Sequence, residues 1–276
     1  MKAKFRFLFP FVLVFLLWEW AAAEGIWSSY ILPSPGRVGE TLCHMIQNGE
    51  LVRHILISLR RIVTGFFWAF LSSCLLSSLN LLFPRIRDCY AGLLEVFRHV
   101  PPLSLIPLLI LWFGIGELPK TIIIVLASFF PMYLNMDDGF RRCDRKLLEV
   151  GRMLGFSPWQ SLWKIRLPSA LPGILTGLRV GMGYSLRAII GAEMIAADSG
   201  LGYLILDAQA MSRSDKVFIG ILTIGTLGLV LDGIFALVER KVLYWMRCCW
   251  SALPKPMAPG PCSGTCPCPS IPVNAL

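Results

Sequence analysis

Residues 139–168 read GFRRCDRKLLEVGRMLGFSPWQSLWKIRLP. Thirty residues are too many and too patterned for a plain connection. Leu147, Val150 and Leu154 recur at helical spacing. Gly155 breaks that helix. Ser157-Pro158-Trp159-Gln160 then opens a second one, with Ser157 as N-cap, Pro158 at the first helical position and Gln160 closing a capping box. Trp159, Leu162 and Trp163 give the second helix a bulky apolar face, and Leu167-Pro168 is expected to stop it. Two short helices therefore meet at a glycine and expose aromatic and basic side chains. Such a pair either lies on a lipid surface or docks a partner, with Trp and Arg as anchors.

What surrounds this segment is apolar. The chain has 276 residues, 55% hydrophobic and only 16% charged, with a mean hydropathy of +0.66. An ordinary soluble domain carries roughly 25% charged residues, so disorder is excluded and the composition argues against a single soluble domain of this length. Nine Cys are too sparse for a disulfide scaffold. A helical span needs about 20 apolar residues. Six runs qualify: Phe7–Ala23, Ile62–Phe83, Leu93–Phe113, Thr121–Met136, Gly173–Ala197 and Val217–Val238. The expected fold is all-α, a polytopic membrane helix bundle with six transmembrane helices. Pro101, Pro102 and Pro107 interrupt the third run and Pro131 lies in the fourth. Proline at membrane depth requires neighbouring protein to satisfy the freed backbone groups, which points to a packed bundle around a pathway. The first run follows Lys2, Lys4 and Arg6 and ends near Ala21-Ala22-Ala23, like a signal peptide. Trp18, Glu19 and Trp20 instead favour an uncleaved, interfacially anchored span.

The formal charge is +9. With six spans, sixteen Lys and Arg fall on the side of the two termini and seven on the other. Both termini are thereby expected in the cytoplasm. Seven of the sixteen lie in the 139–168 loop, so a positive-inside membrane explains the charge without nucleic acid. Arg60-Arg61 is the exception, expected to snorkel at the outer end of the second span.

The loop also resembles a known signature. Glu149-Val150-Gly151, Gly155 at +6, Ile165 at +16 and Leu167-Pro168 at +18 and +19 are spaced like the EAA loop of membrane subunits of binding-protein-dependent ABC importers. Val150 and Gly151 stand where that loop has two alanines; Val is bulkier and Gly loosens the helix. The resemblance runs from about residue 30 to 245. Ile31-Leu32-Pro33-Ser34-Pro35, Arg98-His99-Val100-Pro101-Pro102, the stretch Ile106 to Gly116, Thr176-Gly177-Leu178-Arg179, Ala192-Glu193-Met194 and Ser199 to Leu204 look like the nitrate, sulfonate and taurine permease branch.

The resemblance implies a permease of the bacterial inner membrane that homodimerises around a translocation path. Two cytoplasmic ATPase subunits, carrying ATP and Mg, would take the loops through Glu149, Gly151, Gly155, Ser157, Trp159, Trp163, Ile165, Leu167 and Pro168. A substrate-binding protein would dock outside. The implied cargo is a small oxyanion, aliphatic sulfonate first, with nitrate, taurine or a vitamin precursor as alternatives. A membrane scaffold and a proton-coupled secondary transporter are the other classes. The chain itself is expected to be no enzyme and to hold no cofactor. It has no GxxxxGK[ST] phosphate loop, and His44, His54 and His99 are scattered, with no HExxH or paired CxxC.

Ionisable groups inside spans are functional candidates. Arg187 lies near the middle of the fifth run, with Arg179 about 12 Å to one side and Glu193 about 9 Å to the other. Arg187 either pairs with Glu95 or Asp232 or lines the path and offers a planar guanidinium fork to an oxyanion. Glu193 is expected mainly to fix the outer end of the fifth span, and Arg98 and Asp232 to pair. His99 is expected to pack. Gly177, Gly181 and Gly183 suit either a subunit interface or a pathway wall.

Three regions follow: 1–54 (first span and outer loop), 55–245 (permease core) and 246–276 (tail). Pro254–Pro272 contains seven Pro with Cys262, Cys266 and Cys268, just after Cys248 and Cys249. That spacing matches no common zinc pattern, and the tail is read as a disordered extension.

Overall fold

The computed structural model describes residues 2–251 except 26 and 29. The Pro/Cys-rich stretch therefore lies outside the described residues. Among those described, every regular element is helical: α1 (Lys2–Ala23), α2 (Pro35–Gln47), α3 (Glu50–Leu82), α4 (Pro84–His99), α5 (Ile106–Phe113), α6 (Glu117–Arg141), α7 (Arg145–Met153), α8 (Pro158–Ser161), α9 (Leu167–Ala196), α10 (Leu201–Ala210) and α11 (Ser214–Ser251). A 3₁₀ turn (Pro102–Leu105) precedes α5 and a π turn (Leu162–Arg166) joins α8 to α9.

Three helices are long and apolar enough to cross a membrane: α3, α6 and α11 as far as Tyr244. Two bent pairs raise the number to five. One is α4 with the 3₁₀ turn and α5, bent by 87°; the other is 158–196 with α10, bent by 43°. The apolar helix Val12–Ala23 stands in the sixth place but is shorter. The third expected span is thus not one rod. Val100, ahead of Pro101, is extended (φ −80°, ψ 120°), as a residue before proline prefers to be. Pro101 and Pro102 then remove two consecutive N–H donors, and the chain turns there.

The core is a three-helix stack in which α6 packs against both α3 and α9. Small residues set its spacing. A Cβ added at Gly173 would lie 2.8 Å from the Asn135 carbonyl oxygen and 2.9 Å from the Gly139 Cα. One at Gly177 would meet Asn135 and Met132 at 3.0–3.1 Å, and one at Gly181 the Met132 side chain at 2.5 Å. The glycines at i, i+4 and i+8 of α9 therefore let α6 approach within the same chain. Gly183 is the exception, with open space beside it. Ser128 and Ser185 share a 2.6 Å hydrogen bond across the same contact. On the other face of α6, Ile124 fills the notch at Gly65 of α3.

The outer elements dock on this stack. Val38 and Met45 of α2 and Leu51 of α3 join Leu201, Leu204 and Ile219 in one buried cluster. Ser34 caps α2, accepting from the Arg37 N–H, with Pro35 in its first turn. Trp18 of α1 donates its indole N–H to the Pro33 carbonyl (3.0 Å) and stacks on Phe218 of α11.

Candidate functional site

The loop closes on itself through local bonds. Asp144 caps α7 by accepting from the Lys146 N–H (2.9 Å). Gly155 supplies the left-handed residue after α7, with φ +73°. Ser157 Oγ accepts from the Gln160 N–H (3.2 Å) while Gln160 Oε1 accepts from the Ser157 N–H (3.0 Å), which completes the capping box. Leu167-Pro168 does not stop the second helix, contrary to the expectation from its sequence. Pro168 sits in the first turn of α9, where its missing N–H costs little. The helical path runs from Pro158 through the π turn to Ala196. Gly151 is buried, and a Cβ there would lie 2.5 Å from Ile165 Cδ1. The glycine is thus the seat that lets α7 rest on the π turn, and the contact offsets the looseness expected of Gly in a helix.

The rest of the loop faces outward. Met153 is 88% exposed, Trp159 67% and Trp163 55%. The two tryptophans meet edge to face at 5.9 Å, and Lys164 lies over the Phe156 ring. Glu149 of α7 is exposed as well. Exposed apolar surface of this kind, rimmed by charge, marks an interaction site.

At the other end of the stack, roughly 36 Å away along the 25-residue α6, lies a polar hub. Arg61 is 5% exposed and Glu193 is fully buried. Arg61 donates Nε and Nη2 to Glu117 (2.7 and 2.6 Å) and Nη1 to Glu193 Oε1 (2.9 Å) and to the Ser199 carbonyl (2.6 Å). Glu193 also accepts from Ser58 Oγ (2.8 Å) and the Gly202 N–H (3.0 Å). Ser58 accepts from the Leu201 N–H, and His54 Nδ1 from the Gly200 N–H (3.0 Å). Gly200 has φ +118°, and a Cβ on it would collide with the Glu193 carboxylate at 2.3 Å. The turn from α9 into α10 is thereby tied to α3 and α6. Arg61 does not snorkel, because the buried Glu193 and the largely exposed Glu117 carboxylate hold its guanidinium between them; Arg60 beside it is exposed.

The three ionisable candidates of the fifth run, Arg179, Arg187 and Glu193, separate. Glu193 is spent in the hub. Arg179 forms a fork with Asp232 of α11 (2.7 and 2.8 Å) and reaches Glu239 at 3.4 Å. Arg187 stands apart: it is exposed on α9 with its guanidinium 5.7 Å from the Tyr184 ring centre. Neither suggested partner reaches it. Asp232 is held by Arg179, and Glu95 pairs with Arg98 (2.6 Å) and lies 3.5 Å from His99. His99 is exposed and does not pack in the core. No group of His, Cys, Asp and Glu suited to a metal occurs among the described residues.

Sequence reasoning missed Arg61 as a buried residue. Its signal was Ser58 at i−3, which puts both on one helix face toward the Ser199–Gly202 turn. It also missed a second polar cluster at the loop end. Asn80 of α3 donates to Tyr133 (2.8 Å) and Asp137 (3.1 Å) of α6 and accepts from Tyr90 of α4. Asp137 also accepts from Arg141 (3.0 Å) and faces Arg87 at 3.6 Å.

With this geometry in place, comparison with known proteins is specific. Residues 61–244 match the family model described as binding-protein-dependent transport system inner membrane component. A putative aliphatic sulfonates transport permease protein SsuC of Bacillus subtilis is 37% identical over 238 residues, covering 86% of each chain. The taurine transport system permease protein TauC of Escherichia coli is 34% identical, covering 85% of this chain and 86% of its own. The inward-facing MetNI methionine ABC transporter is similar in fold, with a TM-score of 0.60 at 17% identity over 70% of this chain and 95% of that one. An amino acid ABC transporter crystallised with histidines superposes with a TM-score of 0.62 at 16% identity, over 72% and 98%.

Proposed function

The chain belongs to the family of binding-protein-dependent transport system inner membrane components, and from that premise we propose that it is the permease subunit of an ABC importer for an aliphatic sulfonate. The observation that carries the coupling role is the outward-facing loop, where Met153, Trp159 and Trp163 stay exposed although Gly151 and Ile165 lock the loop beneath them. Lipid alone would ask for an apolar face; the alternation with Glu149, Arg152 and Lys164 suits a protein groove. The partner in that groove is an ATPase subunit, one on each of two permease copies, and the loop side is the cytoplasmic side of an inner membrane. A substrate-binding protein meets the hub end and delivers cargo. The sulfonate reading follows the sulfonate and taurine permeases among its relatives.

Arg187 is the residue we place on the path. It is exposed, its face of α9 is unoccupied beside Gly183, and none of the ion pairs among the described residues includes it. A guanidinium presents a planar pair of donors to a sulfonate.

The test is reconstitution of the chain in proteoliposomes with an ATPase and a binding protein encoded beside it. ATP-dependent uptake of labelled taurine or an alkanesulfonate that needs all three components is expected. Uptake by the chain alone, driven by a proton gradient, would overturn the reading. Arg187→Ala should abolish uptake while assembly and basal ATP hydrolysis persist; loss of assembly would return Arg187 to a structural role.

A further inference from the structure

A cavity of about 490 Å³ opens at the loop end of the bundle, between α3, α4, α6, α7 and the π turn. Five arginines line it: Arg85 and Arg87 from α4, Arg141 from the end of α6, Arg145 from α7 and Arg166 from the π turn. Two carboxylates, Asp88 and Asp137, line it as well, which leaves three positive charges in excess. Asp137 is already occupied by Asn80, Arg87 and Arg141. Arg85, Arg145 and Arg166 take part in none of the ion pairs among the described residues. The cavity also reaches Ser77 of α3, which is 1% exposed and whose hydroxyl has no hydrogen-bond partner. A buried hydroxyl is ordinarily satisfied, and a serine this deep in a helix has the preceding turn's carbonyl within easy reach. Here an unpaired donor and three uncommitted guanidinium groups share one pocket.

We propose that this cavity is a binding site for a tetrahedral oxyanion, a phosphate or phosphate ester. Guanidinium groups from separate elements suit such a group because each offers charge-assisted, paired N–H donors, and the Ser77 hydroxyl supplies the one neutral donor at the buried end. The site lies apart from Arg187, which is on α9, a helix that contributes no residue to the cavity lining. Its arginines come from the bundle on one side and from α7 and the π turn on the other, so a bound anion bridges the two and holds the loop against the bundle. The oxyanion comes either from a phospholipid headgroup or from the solution, and the chemistry at the site is the same.

The experiment uses the full chain in nanodiscs. In phosphatidylcholine discs, at constant ionic strength, labelled inorganic phosphate is titrated by equilibrium dialysis. In parallel, discs with added phosphatidylglycerol are analysed by native mass spectrometry for lipid retained on the chain. Saturable phosphate binding at one per chain identifies a solution anion; selective retention of phosphatidylglycerol identifies the lipid. Either must weaken about tenfold in R85Q/R166Q and survive in R85K/R166K at reduced affinity. Ser77→Ala removes no bond within the protein, so it should leave thermal stability unchanged and lower anion affinity severalfold. The proposal fails if neither ligand is held, or if R85Q/R166Q and Ser77→Ala both bind like the parent chain. Should R85Q/R166Q not fold, Ser77→Ala alone decides.

Discussion

The two ends of the α3–α6–α9 stack solve the same problem in opposite ways. At the hub end, Arg61 sits between Glu117 and Glu193, and nearly every donor and acceptor has a partner from the protein. At the loop end, Asp137 is buried but its arginines are partly open to solvent, a cavity separates the elements, and Ser77 is unpaired. The hub is built to keep one arrangement, because breaking a buried, fully bonded ion pair leaves a bare charge. The loop end has water and spare charge available, so its elements can shift at lower cost.

Substitutions can break or sharpen that contrast. Glu193→Ala removes the buried acceptor shared by Arg61 Nη1, Ser58 Oγ and the Gly202 N–H, leaving Arg61 its fork with Glu117 alone, and should cost about 3–5 kcal/mol, read as loss of folded chain in detergent melting curves. Arg61→Met combined with Glu193→Met should be less damaging than either alone; if the double is worst, the hub is not a coupled pair. Gly173→Val presses a side chain on the Asn135 carbonyl and the Gly139 backbone and should cost about 1–3 kcal/mol, lowering the melting temperature and parting α6 from α9. Asp137→Ala is the loop-end counterpart of Glu193→Ala. Its partners Arg87 and Arg141 are partly exposed and can turn to water, so the loss should be nearer 1–2 kcal/mol; a loss equal to that of Glu193→Ala would erase the contrast. Ser157→Ala removes the α8 cap and should cost about 1 kcal/mol, confined to faster amide exchange in residues 157–161. Trp159→Ala should leave the melting curve in place and reduce capture of the ATPase subunit, measured by co-purification.

Much of this was legible in the sequence, and the reason is locality. The capping box at Ser157 and Gln160, the left-handed Gly155 and the proline break after Val100 are each set within four or five residues. Apolar runs gave the helices but understated their lengths. α3 starts at Glu50, twelve residues before the apolar run, because the amphipathic segment ahead of it is buried against α2 and α10. Partners of charges were not legible. Whether Arg61 snorkels or is buried depends on Glu117 and Glu193 arriving from 56 and 132 residues away. The same holds for Arg179, whose carboxylates come from α11. The glycines of α9 looked equally suited to several surfaces, and only the approach of α6 distinguishes Gly177 and Gly181 from Gly183.

The unbroken path from α8 through the π turn into α9 has a mechanical consequence. No glycine lies between Gly155 and Gly173, so the bends open to the path between Trp159 and the shaft of α9 are the π turn and Pro172. The far end of that shaft carries Glu193, clamped to α3 and α6. A push delivered at the tryptophans therefore acts on one continuous helical lever fastened at the opposite end, and its give is concentrated at Pro172 and at the π turn, whose Arg166 helps to line the arginine-rich cavity.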